Sequence, residues 1–151
     1  MPDDLYHRDI LAWSTAQAER LRRVAAGGRV NDLDWATVIE EVGSVGRGEA
    51  QAVDVLLRQA MVHALNIAAW PGHSAARKWR NAITVLLVGA TRRFSPSMAQ
   101  YLDVPDIHAA ARRQVLDLDM RALPEATDLP PAERLDESLG AEALIARLAP
   151  R

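Results

Sequence analysis

Apolar residues in this chain recur at steps of three and four positions, and strict alternation is almost absent. Steps of that size gather side chains on one face of a helix, whereas a half-buried strand needs a period of two. Tyr6, Ile10, Trp13, Gln17, Leu21 and Val24 share one face and predict a first helix over about Asp4–Ala26, stopped by Gly27–Gly28. Asn31, Asp32 and Asp34 are good N-caps for a second, short helix. Its apolar side is Leu33, Val38, Ile39, Val42 and Val45, and it ends near Ser44–Gly46. Gly43, Gly46 and Gly48 predict a kink or break there, because an interior glycine costs about 1 kcal/mol relative to alanine.

A long helix follows over about Glu49–Ala69, with Val53, Leu56, Ala60, His63 and Ile67 inward, and Trp70-Pro71-Gly72 ends it. Trp79, Ile83, Leu86, Leu87 and Ala90 define a helix over about Ser74–Arg93. Ser95-Pro96 starts a short helix to about Leu102, and Pro105 starts another over Asp106–Ala122 with Ile107, Ala111, Val115 and Leu118 inward. Together these predict an all-α fold, a compact bundle of about six or seven helices with no sheet. At 151 residues the chain reads as a single helical domain, 1–151. Its core spans 4–122, a proline-interrupted linker covers 123–131, and short helices close the chain over 132–149.

Composition removes several classes of function. With no cysteine, thiolate metal sites, iron–sulfur clusters, disulfides and cysteine nucleophiles are excluded. No stretch reaches the ~18 apolar residues of a membrane span, and the acidic N-terminus lacks a secretory signal, so a cytoplasmic protein is expected. Seventeen arginines against one lysine, with 27 alanines, point to a GC-rich bacterial genome.

Three polar positions fall on apolar stripes: Gln17, the pair Glu40–Glu41, and His63. Buried polar groups need partners or cost about 1–3 kcal/mol each, so a bundle would bring these together as a hydrogen-bonded network. The same residues could serve as an acid–base or metal site, with His63 as ligand or base and a glutamate as ligand or orienting group. No Glu-x-x-His or His-Glu-x-x-His spacing supports a metal, and the four histidines are scattered. Gly43-Ser-Val-Gly46-Arg-Gly48 fits neither standard phosphate-binding loop.

Charge is uneven. Residues 71–113 carry a net +5, between segments of −3 and −4. Intramolecular or dimer pairing accounts for such a pattern, and a nucleic-acid face formed by Arg77, Arg80, Arg92 and Arg93 is the other reading. Trp79 lies among these arginines but begins an apolar stripe, which favours a core role. Trp13, Trp35 and Trp70 read as core or interface anchors.

The order Tyr6-x-x-Asp9-x-x-x-Trp13-x-x-x-Gln17-x-x-x-Leu21-Arg22, Leu33-Asp34-Trp35, Ile39-Glu40-Glu41-Val42, Gly46-Arg47, His63-Ala64-Leu65, Trp79-Arg80-x-x-Ile83 and Ser95-Pro96-Ser97 resembles a bacterial family, domain of unknown function twenty-nine. The resemblance covers about Tyr6–Leu102 and implies a small all-helical protein; it brings no activity, substrate or cofactor. The family usually follows its histidine with leucines and a lysine, where this chain has Ala64-Leu65-Asn66. Its glutamate pair and histidine fall on Glu40, Glu41 and His63.

The expected function is therefore a non-catalytic protein-interaction or structural module, working as a homo-oligomer or with a protein partner and without a cofactor. That reading predicts an exposed apolar patch on Trp35, Trp70 or the C-terminal helices, and a hydrogen-bonded His63. One alternative is a metal-dependent or acid–base enzyme using Glu40, Glu41 and His63, with a divalent metal. The other is nucleic-acid binding through the basic 77–93 helix.

Overall fold

A computed structural model describes residues 4–118 and 138–149. Among the described residues it contains six α-helices and one 3-10 helix, and no strand. The predicted linker at 123–131, and residues 119–122 and 132–137 of the two helices expected beside it, lie outside the described residues.

Two helices stand where one was expected at the start of the chain. Helix α1 covers Asp4–Arg8 and α2 covers Ile10–Ala25. Asp9 interrupts them in a non-helical conformation, φ −153° and ψ 83°, and its carboxylate accepts the Ala12 N–H at 2.9 Å. A short acidic side chain competes well for helix N–H groups, and here it caps a new helix. Gly27, at φ +83°, ends α2 in the left-handed conformation expected of it.

The predicted break near Gly43–Gly48 is absent. Helix α3 runs unbroken over Trp35–Ala69. A break would expose unpaired backbone groups on both sides and require a second nucleation, and no side chain caps one: the Ser44 hydroxyl instead donates to the Glu41 carbonyl within the same helix. Neither Gly46 nor Gly48 marks a close helix crossing, since a Cβ added at either meets nothing within 4 Å. The helix stops at the expected Trp70-Pro71-Gly72, where Gly72 has φ +76°.

Helix α4 covers Ala76–Arg93, the 3-10 helix Pro96–Tyr101, α5 Val104–Leu118 and α6 Ala141–Leu148. Helix α5 starts earlier than Pro105 predicts, because the Asp103 carboxylate accepts the Asp106 N–H at 3.0 Å and provides the cap.

The chain divides into two compact units, Met1–Val45 and Gly46–Arg151. The first has a small core of Trp13, Leu33 and Val38, with Leu5, Tyr6, Leu21 and Val30 against it. The second has a larger one. Val53, Leu57, Ala60, Met61 and Leu65 of α3 meet Ile83, Leu87 and Ala90 of α4, Ile107, Ala111 and Val115 of α5, and Leu144 and Leu148 of α6. Each large aliphatic side chain buried there contributes about 1.5–3 kcal/mol.

Candidate functional site

The start of α3 holds the polar residues that sequence spacing singles out in the first unit. Gln17 is buried at 4% exposure, and its Oε1 accepts the Asp34 N–H at 3.2 Å. Asp34 in turn caps α3, its Oδ1 accepting the Thr37 N–H at 3.3 Å. Thr37 holds the Asp34 carboxyl below the usual carboxylate range, against the opposing effect of burial. Among the described residues the buried Trp13 indole N–H forms no hydrogen bond of normal geometry, yet it adds a smaller pull on the same carboxylate. Gln17 therefore locks the cap of α3 onto α2.

Tyr6 donates its hydroxyl hydrogen to Glu41 Oε1. That bond, then desolvation and the charges of Glu41 and Glu40, push the phenol above its usual range. The Tyr6 ring meets Trp13 edge-on at 5.0 Å and His7 edge-on at 5.0 Å. Glu41 is half-buried and Glu40 is exposed. Gln17 and Glu41 are thus each held by a different neighbour, Asp34 and Tyr6, rather than by one another.

His63 lies further along the same helix. It belongs to the second compact unit, whereas Glu40 and Glu41 belong to the first. His63 is half-buried, and its buried Nδ1 has no hydrogen-bond partner among the described residues, where the expected hydrogen bond is not found. Burial lowers its imidazole pKa below the ordinary value. Among the described residues, no group of three or more His, Asp or Glu side chains is placed to hold a metal ion.

Two of the four candidate arginines on α4 are engaged by carboxylates. Arg80 pairs with Glu142 at 3.1 Å, and Arg93 reaches both oxygens of Glu49 at 3.0 and 3.3 Å. Arg77 is exposed, and Arg92 lines a half-open groove of about 530 Å³ with Thr84, Leu87, Val88 and Leu139. Trp79 is half-buried and stacks on His73 at 5.0 Å and 20°, while His73 Nδ1 accepts the Ala75 N–H at 3.1 Å before α4 begins.

The remaining feature of α3 is apolar. Leu33 and Val38 are buried as expected of their face, but Ile39, Val42 and Val45 are not. They stand 66%, 70% and 66% exposed, and Trp35 is 52% exposed. Of the expected sites for an apolar patch, Trp35 carries one. Trp70 packs against the larger core, and Leu144 and Leu148 of α6 are buried.

The family profile of domain of unknown function DUF29 matches residues 5–139. The chain belongs to the DUF29 family. That span takes in the Tyr6–Glu41 and Gln17–Asp34 contacts, α3 and all four histidines. This DUF29 chain is also similar to a crystal structure of an α-helical protein of unknown function from Rhodospirillum rubrum. The two share 26% identity over 98% of this chain and 99% of that one, with a TM-score of 0.67. No curated protein sequence is significantly similar to the chain.

Sequence spacing overlooks one further polar residue. His108 of α5 is 7% exposed, and its Nε2 is buried without a hydrogen-bond partner among the described residues. The signal was present: Val104, His108, Ala111 and Val115 step by 4, 3 and 4, which puts the imidazole on the buried stripe.

Proposed function

We propose that this protein is a non-catalytic helical interaction module, and that the first three turns of α3 form its contact surface. The observation that carries the reading is the row Trp35, Ile39 and Val42, each more than half exposed on one face of a helix. Isolated exposed apolar residues are ordinary, but a contiguous row on one face marks an interaction site. The polar residues beside it have structural work. Gln17 and Asp34 fix the start of the helix, and Tyr6 and Glu41 tie it to α1. No helix among the described residues is long and apolar enough to cross a membrane.

The double variant Ile39→Glu/Val42→Glu tests the reading. Side chains already in water contribute little to folding, so the melting temperature of the dilute protein, followed by circular dichroism, should stay within about 2 °C of wild type. A fall of many degrees would show that these residues hold the fold together rather than present a surface.

A further inference from the structure

We propose that the groove of the second unit binds a small aliphatic carboxylate, with the hydrocarbon body along α4 and the carboxylate on Arg92. The site goes beyond the interaction reading and lies wholly within that unit.

Spacing on one helix sets the shape of the groove. Thr84, Leu87, Val88, Thr91 and Arg92 line it at steps of 3, 1, 3 and 1, which places them along one face of α4. That face is roughly 12 Å long at 1.5 Å per residue. Leu139 and Ala141 add aliphatic wall from the start of α6 and the residues before it. Leu87 and Leu139 are buried, while Val88 stays 45% exposed to the groove. The volume, about 530 Å³, falls within the roughly 300–1,000 Å³ of small-molecule sites, which join apolar walls to a few placed polar groups.

The polar groups converge at one end. The Thr84 hydroxyl is already spent on the Arg80 carbonyl, at 3.2 Å within the same helix. Thr91 and Arg92 stand at the other end, and Arg92 is the single charged side chain among the described residues of the lining. Its neighbours on α4 have carboxylates of their own: Arg80 reaches Glu142 and Arg93 reaches Glu49. Arg92 has no such partner among the described residues. An aliphatic groove with one cation and one hydroxyl at its end matches a molecule with an apolar body and one anionic end. A neutral hydrocarbon would leave Arg92 unpaired, a cation would be repelled, and a polyanion would need more than one arginine.

Amide NMR spectra of the full chain, titrated with sodium octanoate, test this. Amides of 84–92 and 139–141 should shift and saturate by about 10 mM. Arg92→Gln should weaken binding by at least about threefold, whereas Arg77→Gln, an exposed arginine outside the groove, should not. Val88→Glu should abolish binding, because its carboxylate lies four residues before Arg92 and takes the cation itself. Val85→Glu, 71% exposed and outside the lining, should bind as wild type does. Octanol, which has the same chain without the charge, should bind more weakly and equally to wild type and Arg92→Gln. Octanol binding as tightly as octanoate, or Arg92→Gln without effect, would overturn the carboxylate. The absence of saturable shifts would overturn the site. So would octanoate shifts confined to 35–45 and lost in Ile39→Glu/Val42→Glu, which would place the molecule on the α3 row instead.

Discussion

Single side chains in this protein do distinguishable jobs, and three of them make strong predictions. Asp34 caps α3 while Gln17 holds its backbone N–H. Asp34→Ala should lower the unfolding free energy by about 0.5–2 kcal/mol, read as a lower urea midpoint at unchanged slope. His108 and His63 are the second case. Burial lowers both imidazoles from the ordinary 6.5, with Arg112 adding to the effect at His108. The native state thus holds them neutral, while the unfolded chain protonates near 6.5. Stability from these groups is present above that value and is lost as pH falls through it toward the depressed native pKa. The urea midpoint should therefore fall between about pH 7.5 and about pH 5.5, and His108→Leu should flatten part of that slope. An equal slope in the variant would remove His108 from the account. Gln17 was legible in the sequence as a polar group on an apolar stripe. Its partner was not, because the Asp34 N–H it binds belongs to a helix start 17 residues away.

At the scale of elements, apolar spacing marked α2, α4 and α5 well, because each has one continuous buried face. It failed where a local preference met a longer-range one. Asp9 sits inside a continuous stripe, yet its carboxylate caps a helix and divides the first element. At Gly43–Gly48 the outcome is the reverse. Local glycine penalties predict a break, but propagation adds a hydrogen bond per residue and a restart costs a new nucleus. Gly48 has room for a side chain, with nothing within 4 Å of an added Cβ. Gly48→Ala should therefore stabilise the protein by up to about 1 kcal/mol, seen as a raised melting temperature. A lowered one would mean that the helix does not run through this point. The exposed row on α3 was partly legible. Trp35 stood out as an interface anchor, whereas Ile39, Val42 and Val45 looked like core because helical spacing reports a shared face without reporting what covers it.

For the whole molecule, the all-α class follows from periodicity alone, and the DUF29 match and the Rhodospirillum rubrum structure agree with it. The two units differ in how much they bury. The larger core should carry most of the stability, so Leu57→Ala, at 0% exposure, should cost about 2–5 kcal/mol in denaturant unfolding. The first unit buries three large side chains while α3 leaves a row of apolar ones in water. A small unit of that kind gains from a partner that covers the row. Amide hydrogen exchange along α3, in wild type and in Ile39→Glu/Val42→Glu, tests most directly whether the row is a surface. Amides over 35–45 should be equally protected in the two proteins, and so should those over 53–65. Lost protection over 35–45 in the variant would contradict the account, because the row would then hold the fold together.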